Sequence, residues 1–129
     1  MQRLFALLFL PGLVFAELPP SDYEAMQSKA SEFLNIEVLR VDIEAGENPD
    51  QQRIHITALV EKANRTSHNL KGGEIVNVVY TVTAHPKGWT GPGEIPILAE
   101  KDKTLAYLSR AENSTEYVPT AGAMSFRNF

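Results

Sequence analysis

From Ile36 onward, apolar and polar side chains alternate along the chain. In IEVLRVDIEA, Leu39, Val41 and Ile43 fall on one face, with Val38, Arg40 and Asp42 on the other. QQRIHITALVEKA sets Ile54, Ile56, Ala58 and Val60 against His55, Thr57 and Glu61. A period of two marks a strand with one buried face, and GENPD between the two runs carries turn chemistry. The pattern predicts a long antiparallel hairpin. NRTSHNLKGG reads as a polar loop closed by Gly72-Gly73. EIVNVVYTVTA, rich in β-branched residues, reads as a third strand with Val76, Val78, Tyr80 and Val82 in register. Pro96 confines the short EIPIL run to an edge or a bulge. LAYLSR follows, with Leu105, Tyr107 and Leu108 as core candidates, and then EYVPTA.

Before Ile36 the period is helical. Tyr23, Met26, Ala30, Phe33 and Leu34 share one face, and Asp22, Lys29 and Glu32 lie elsewhere. Ser21 stands where an N-cap belongs and Glu24 follows three positions later, as in a capping box. A helix from about Ser21 to Leu34 is predicted, lying on the domain by its apolar stripe. Five or six short strands, each with one apolar face, need closure or a second sheet to bury it. The expected fold is therefore all-β with one N-terminal helix: a small, five- to six-stranded OB-like barrel, closed or partly open. Met124 and Phe126 in the tail are expected to pack on it.

The first sixteen residues change the picture of where the chain acts. MQRLFALLFLPGLVFA has a basic start at Arg3, an apolar run from Leu4 to Phe15, and Val14 and Ala16 at the positions a signal peptidase reads. The run is short of the roughly 20 residues that span a bilayer. The reading is a signal peptide over residues 1–16, cleaved after Ala16, and a single domain over 17–129 that is secreted or periplasmic with no membrane span. Without the leader, 129 − 16 = 113 residues remain, enough for one core. Removing Arg3 leaves 11 basic against 16 acidic residues, a net charge of −5. Such a charge repels a phosphate backbone, so no nucleic acid partner is expected. The absence of cysteine excludes a structural disulfide and a thiolate nucleophile.

LKGGEIVNVVYTV followed by LAEKDKTLAYL resembles the netrin-like, tissue-inhibitor-of-metalloproteinases-like group of OB-fold domains, over roughly Ile36 to Pro119. In that group a Lys-Gly loop introduces the third strand and a Tyr-Leu strand comes late. The resemblance implies fold more than role. Its members are usually stapled by disulfides, and its inhibitors place an N-terminal cysteine on the protease zinc; this chain has neither. An OB-fold usually carries a helix between its third and fourth strands, where this chain has only HPKGWTGPG. The N-terminal helix is then expected to do the barrel-capping work.

Candidate chemistry is sparse. His55, His68 and His85 lack the close spacing of metal sites, so no metal or cofactor is implied. Ser67-His68 is adjacent in sequence, which does not by itself bring hydroxyl to imidazole, and no G-x-S-x-G elbow occurs. KGGE and GWTGPG lack the phosphate-loop spacing. Asn64-Arg65-Thr66 and Asn113-Ser114-Thr115 are glycan acceptors only on a eukaryotic secretory route. Trp89, among Lys87, Gly88, Thr90, Gly91, Pro92 and Gly93, has two readings. It closes a barrel end, which the cost of exposing a large ring favours, or it is a stacking platform. The function expected is binding: an exported module that engages a protein, peptide or saccharide through loops 64–73 and 85–93, with Trp89, His85, Lys87, Thr90 and His68 as contact residues and no catalytic residue named. The rival readings are a small exported hydrolase on the same rim and a protease inhibitor that inserts a loop without touching metal.

Overall fold

A computed structural model describes residues 19–84 and 94–127. Helix α1 (Pro20–Lys29) is followed by strands β1 (Glu32–Ala45), β2 (Gln51–Thr66), β3 (Ile75–Thr83), β4 (Lys103–Arg110) and β5 (Tyr117–Pro119), and a 3-10 turn at Gly122–Met124. The strands close into one barrel in the order β1-β2-β3-β5-β4, with β4 returning to β1. All neighbours are antiparallel except β3 and β5, which meet in parallel at Val78 and Tyr117. The chain is an all-β, OB-like closed barrel of five strands with one short helix near its N-terminus. Among the described residues, no helix is long and apolar enough to cross a membrane.

The alternation read in β2 and β3 holds: Ile54, Ile56, Ala58, Val60, Val76, Val78, Tyr80 and Val82 all point into the core. The β1–β2 turn falls on Gly46–Asp50, and Gly46 N–H donates to Gln51 O at 2.9 Å. A Cβ on Gly46 would lie 2.7 Å from that of Gln51, so the turn requires glycine.

In β1 the sequence reading needs correction. Val38 faces inward with Leu34 and Ile36, while Leu39 is 44% exposed. Val38 pairs with Ala58 and Arg40 with Thr57, leaving Leu39 as a bulge. The extra residue flips the parity, so Val41 and Ile43 return to the inner face opposite Ile56 and Ile54. Two further register shifts, at Phe33/Leu34 and Asn35/Ile36, leave Asn64 and Glu61 unopposed in β2. Bulges of this kind bend and coil a strand, which a five-stranded sheet needs in order to close on itself.

The helix also differs from expectation. It ends at Lys29, and its N-cap is Pro19 with no side-chain cap, so Ser21 is not the cap. Pro20 at the first helical position, where a missing N–H costs nothing, sets the start instead. Phe33 and Leu34 belong to β1, where Leu34 points into the barrel and Phe33 outward to stack on Tyr107 with centroids 4.5 Å apart. Met26, Ala30 and Ala121 pack around that stack, so α1 lies against the outer wall and does not cap an end. Arg65 fastens it there, donating to the carbonyls of Gln27 and Ala30 at 2.7 and 2.8 Å.

EIPIL forms no strand. Residues 94–102 cross the barrel from β3 to β1, held by the Tyr80 hydroxyl donating to Pro96 O at 2.8 Å and by Lys101 N–H donating to Val38 O at 2.8 Å. Buried Leu98 and Phe126 fill this end, with Phe126 lying 5.7 Å from Tyr80. The tail reaches that position because Tyr107 N–H donates to Ser125 O. Burial pushes the Tyr80 phenol up to about 12, against the pull of a hydrogen bond with the Leu98 backbone.

Candidate functional site

Glu32 occupies an inward-facing position on β1, in line with Leu34, Ile36 and Val38, and is fully buried. A carboxylate there must be satisfied by donors. The end of β2 and the loop after it supply them: Thr66 Oγ1 donates at 2.5 Å, Ser67 N–H at 3.1 Å and His68 Nδ1 at 2.9 Å. Burial pushes the Glu32 carboxyl up, but the hydrogen bonds from Thr66, His68, Ser31 and Ser67 together outweigh it and hold the group below its ordinary value of 4.5. Glu32 is therefore an anion at neutral pH, locked under the β2–β3 loop.

The same loop is ordered from its other side. Thr66 Oγ1 accepts from the N–H groups of His68 and Leu70 at 3.2 and 3.1 Å. Partly buried Leu70 packs on the core, and Gly73 N–H returns to Val60 O at 2.7 Å. Asn69 and Gly73 take the left-handed conformation, with φ of 56° and 96°. β2 runs through Thr66, so Asn64 and Arg65 are strand residues and the loop proper begins at Ser67. Asn64 Nδ2 donates to Asn35 Oδ1 at 2.6 Å across the first bulge.

His68 stands over this lock with its side chain about one-third exposed. An ionised carboxylate only accepts, so Nδ1 carries the proton, and in the neutral ring Nε2 on the far side offers a lone pair. The ring meets Tyr117 edge-on at 6.0 Å. Arg110 donates to the Tyr117 hydroxyl at 2.9 Å, its guanidinium 5.2 Å from the ring centroid. Residues from β1, the β2–β3 loop, β4 and β5 thus converge on one mouth of the barrel. Comparison with protein-family models, curated proteins and solved structures finds no match. The site has to be read from its own chemistry.

Two of the three members of a catalytic triad are arranged here, a base oriented by an acid. Among the described residues, neither neighbouring hydroxyl is free to act as nucleophile: Thr66 Oγ1 donates to Glu32, and Ser67 Oγ donates to Ser31 O at 3.3 Å. Among the described residues, no group of three or more His, Asp or Glu could hold a metal ion. Two open hollows, of about 580 and 620 Å³, lie at the opposite end by the β1–β2 turn. The first is lined mainly by Pro49, Val82, Ile95, Pro96 and Ile97, the second by residues that include Glu47, Gln51 and Arg53.

Of the contact residues expected from sequence, His68 is placed at this mouth. His85, Lys87, Trp89 and Thr90 lie outside the described residues. Ala84 and Glu94, which flank that segment, sit at the other end of β3, about 26 Å along a nine-residue strand from the β2–β3 loop. The described ends of the two loops therefore do not share one rim. Glu32, Tyr117 and Arg110 were not expected at a site. One signal for Glu32 was in the sequence: Glu32, Leu34, Ile36 and Val38 alternate with each other, which puts the carboxylate on the core side of a strand.

Proposed function

We propose that this chain is an exported binding module whose β2–β3 loop, residues 67–73, presents a preformed polar rim to a protein or peptide partner. The observation that carries this reading is the fully buried Glu32 carboxylate, which accepts from Thr66 at the end of β2 and from Ser67 and His68 of the loop. A loop already ordered loses little conformational entropy on binding, which is what favours affinity. The rim offers the far nitrogen of His68 together with exposed Asn69 and Lys71. Among the described residues, Tyr117, the aromatic that packs beside His68 at this mouth, is buried and not open for stacking against a sugar. That favours a peptide over a saccharide. The leader over residues 1–16 supports a secreted or periplasmic location.

A mature chain beginning at Glu17, probed on peptide and glycan arrays, tests the reading. Binding to peptides should weaken at least about tenfold in His68→Ala and in Lys71→Ala. The Lys71 side chain takes no part in the Glu32 lock, so that variant should keep its melting temperature. Binding unaffected by both substitutions, or none at all, would overturn the proposal. The oriented Glu32–His68 pair favours one rival, a hydrolase; turnover of ester or peptide substrates that is lost in His68→Ala would establish it instead.

A further inference from the structure

β4 pairs with β1 only from Glu32 to Glu37. Lys101 and Asp102 cover Val38, taking its C=O and N–H. From Arg40 to Ala45, β1 pairs with β2 alone among the described residues. The ladder alternation is fixed by Gly46 N–H donating to Gln51 O, so Arg40, Asp42 and Glu44 exchange hydrogen bonds with β2. The N–H and C=O groups of Val41, Ile43 and Ala45 then point away from the sheet. An open edge of this kind is a template for another strand.

Two observations indicate what covers it. Ile43, which faces inward, is nevertheless 50% exposed, because the apolar face stops at this edge. On the outer face, Arg40 and Arg53 balance Asp42 and Glu44. A patch neutral in itself does not repel its own copy, although the whole chain carries net negative charge. Reversed against itself, Arg40-Val41-Asp42-Ile43-Glu44 sets Arg40 opposite Glu44 and Val41 opposite Ile43, with Asp42 opposite its own copy.

We propose that a second copy of this chain seats here, the two β1 strands pairing antiparallel about a twofold axis at Asp42. Val41 of each copy lies opposite Ile43 of the other, which joins their outward N–H and C=O groups and continues the apolar face across the junction. Arg40 lies opposite Glu44 in both directions. The two Asp42 side chains face each other on the axis, each already held 2.9 Å from its own Arg40 Nε. The product is one six-stranded sheet, β3-β2-β1 continued into its twofold mate.

The experiment is a concentration series of the mature chain by analytical ultracentrifugation and native mass spectrometry. Wild type should show a monomer–dimer equilibrium. Arg40→Glu and Glu44→Arg should each weaken it roughly 10- to 100-fold, since each turns two opposite-charge pairs into like-charge pairs. Mixing the two variants should restore a 1:1 heterodimer, which a substitution that merely damaged the fold would not do. Ile43→Pro removes an outward donor without touching the β2 ladder, and should give a monomer with the wild-type circular dichroism spectrum. A wild type that stays monomeric to its solubility limit overturns the proposal, whether or not it takes up extended peptides. So do single variants that dimerise like wild type, or a mixture that forms no heterodimer.

Discussion

Replacing Glu32 with Gln keeps the size of the side chain and removes the charge that organises the barrel mouth. Hydrogen bonds to a charged group contribute about 1.5–3 kcal/mol each, and neutral ones about 0.5–1.5 kcal/mol. Thr66, Ser67 and His68 donate to this carboxylate at 2.5, 3.1 and 2.9 Å. Converting them from charged to neutral bonds, with an amide N–H₂ now facing a donor, should destabilise the fold by about 3 kcal/mol at neutral pH. That corresponds to a melting temperature lower by roughly 10 °C for a domain of this size. The pH dependence follows from the lowered carboxyl. Its stabilisation is complete above the ordinary value of 4.5 and is lost as pH falls through the lower folded value. Urea unfolding of both proteins from neutral pH into the acid range should therefore show a gap that is widest at neutral pH and closes in acid. A gap under about 0.5 kcal/mol at neutral pH, or one that stays constant through the carboxyl range, would refute the reasoning.

Phe126→Ala should cost about 3–5 kcal/mol by urea unfolding, because the ring is buried against Tyr80 in the main core; a loss below about 1 kcal/mol would mean the tail is dispensable. In a spectrophotometric titration, one phenol should ionise near about 12 and disappear in Tyr80→Phe, which also loses the bond to Pro96. Arg65→Ala should release α1 from the wall, seen as faster amide exchange over Pro20–Lys29 with β2 and β3 still protected.

The barrel was legible where one rule acted alone. β2 keeps a clean period of two; in β3 Val79 is buried as well, yet the inward residues of both strands are those the alternation names. β1 was harder because Val38 and Leu39 are both apolar, and a bulge between two such residues leaves no mark in a binary pattern. The same ambiguity extended the helix. Phe33 and Leu34 satisfy a helical stripe with Met26 and Ala30, and they equally satisfy the two faces of a strand. Tertiary closure against β2 and β4 decides between these readings. Reading Glu32 on the helix placed it on a polar face, so its partnership with His68 stayed hidden. In the sequence His68 stands out only for its polar loop, but what gives it a fixed orientation is a residue 36 positions away. The closing contribution of the tail, through Phe126, shows in the sequence only as apolar Met124 and Phe126 near the end of the chain.

An ionised Glu32 fixes the tautomer and position of His68, and nitrogen NMR of the neutral His68 imidazole measures that directly. The prediction is a protonated, hydrogen-bonded Nδ1 with a bare Nε2, converting in Glu32→Gln to the averaged signals of a free ring. A wild-type ring protonated at Nε2, or one averaging between tautomers, would contradict it.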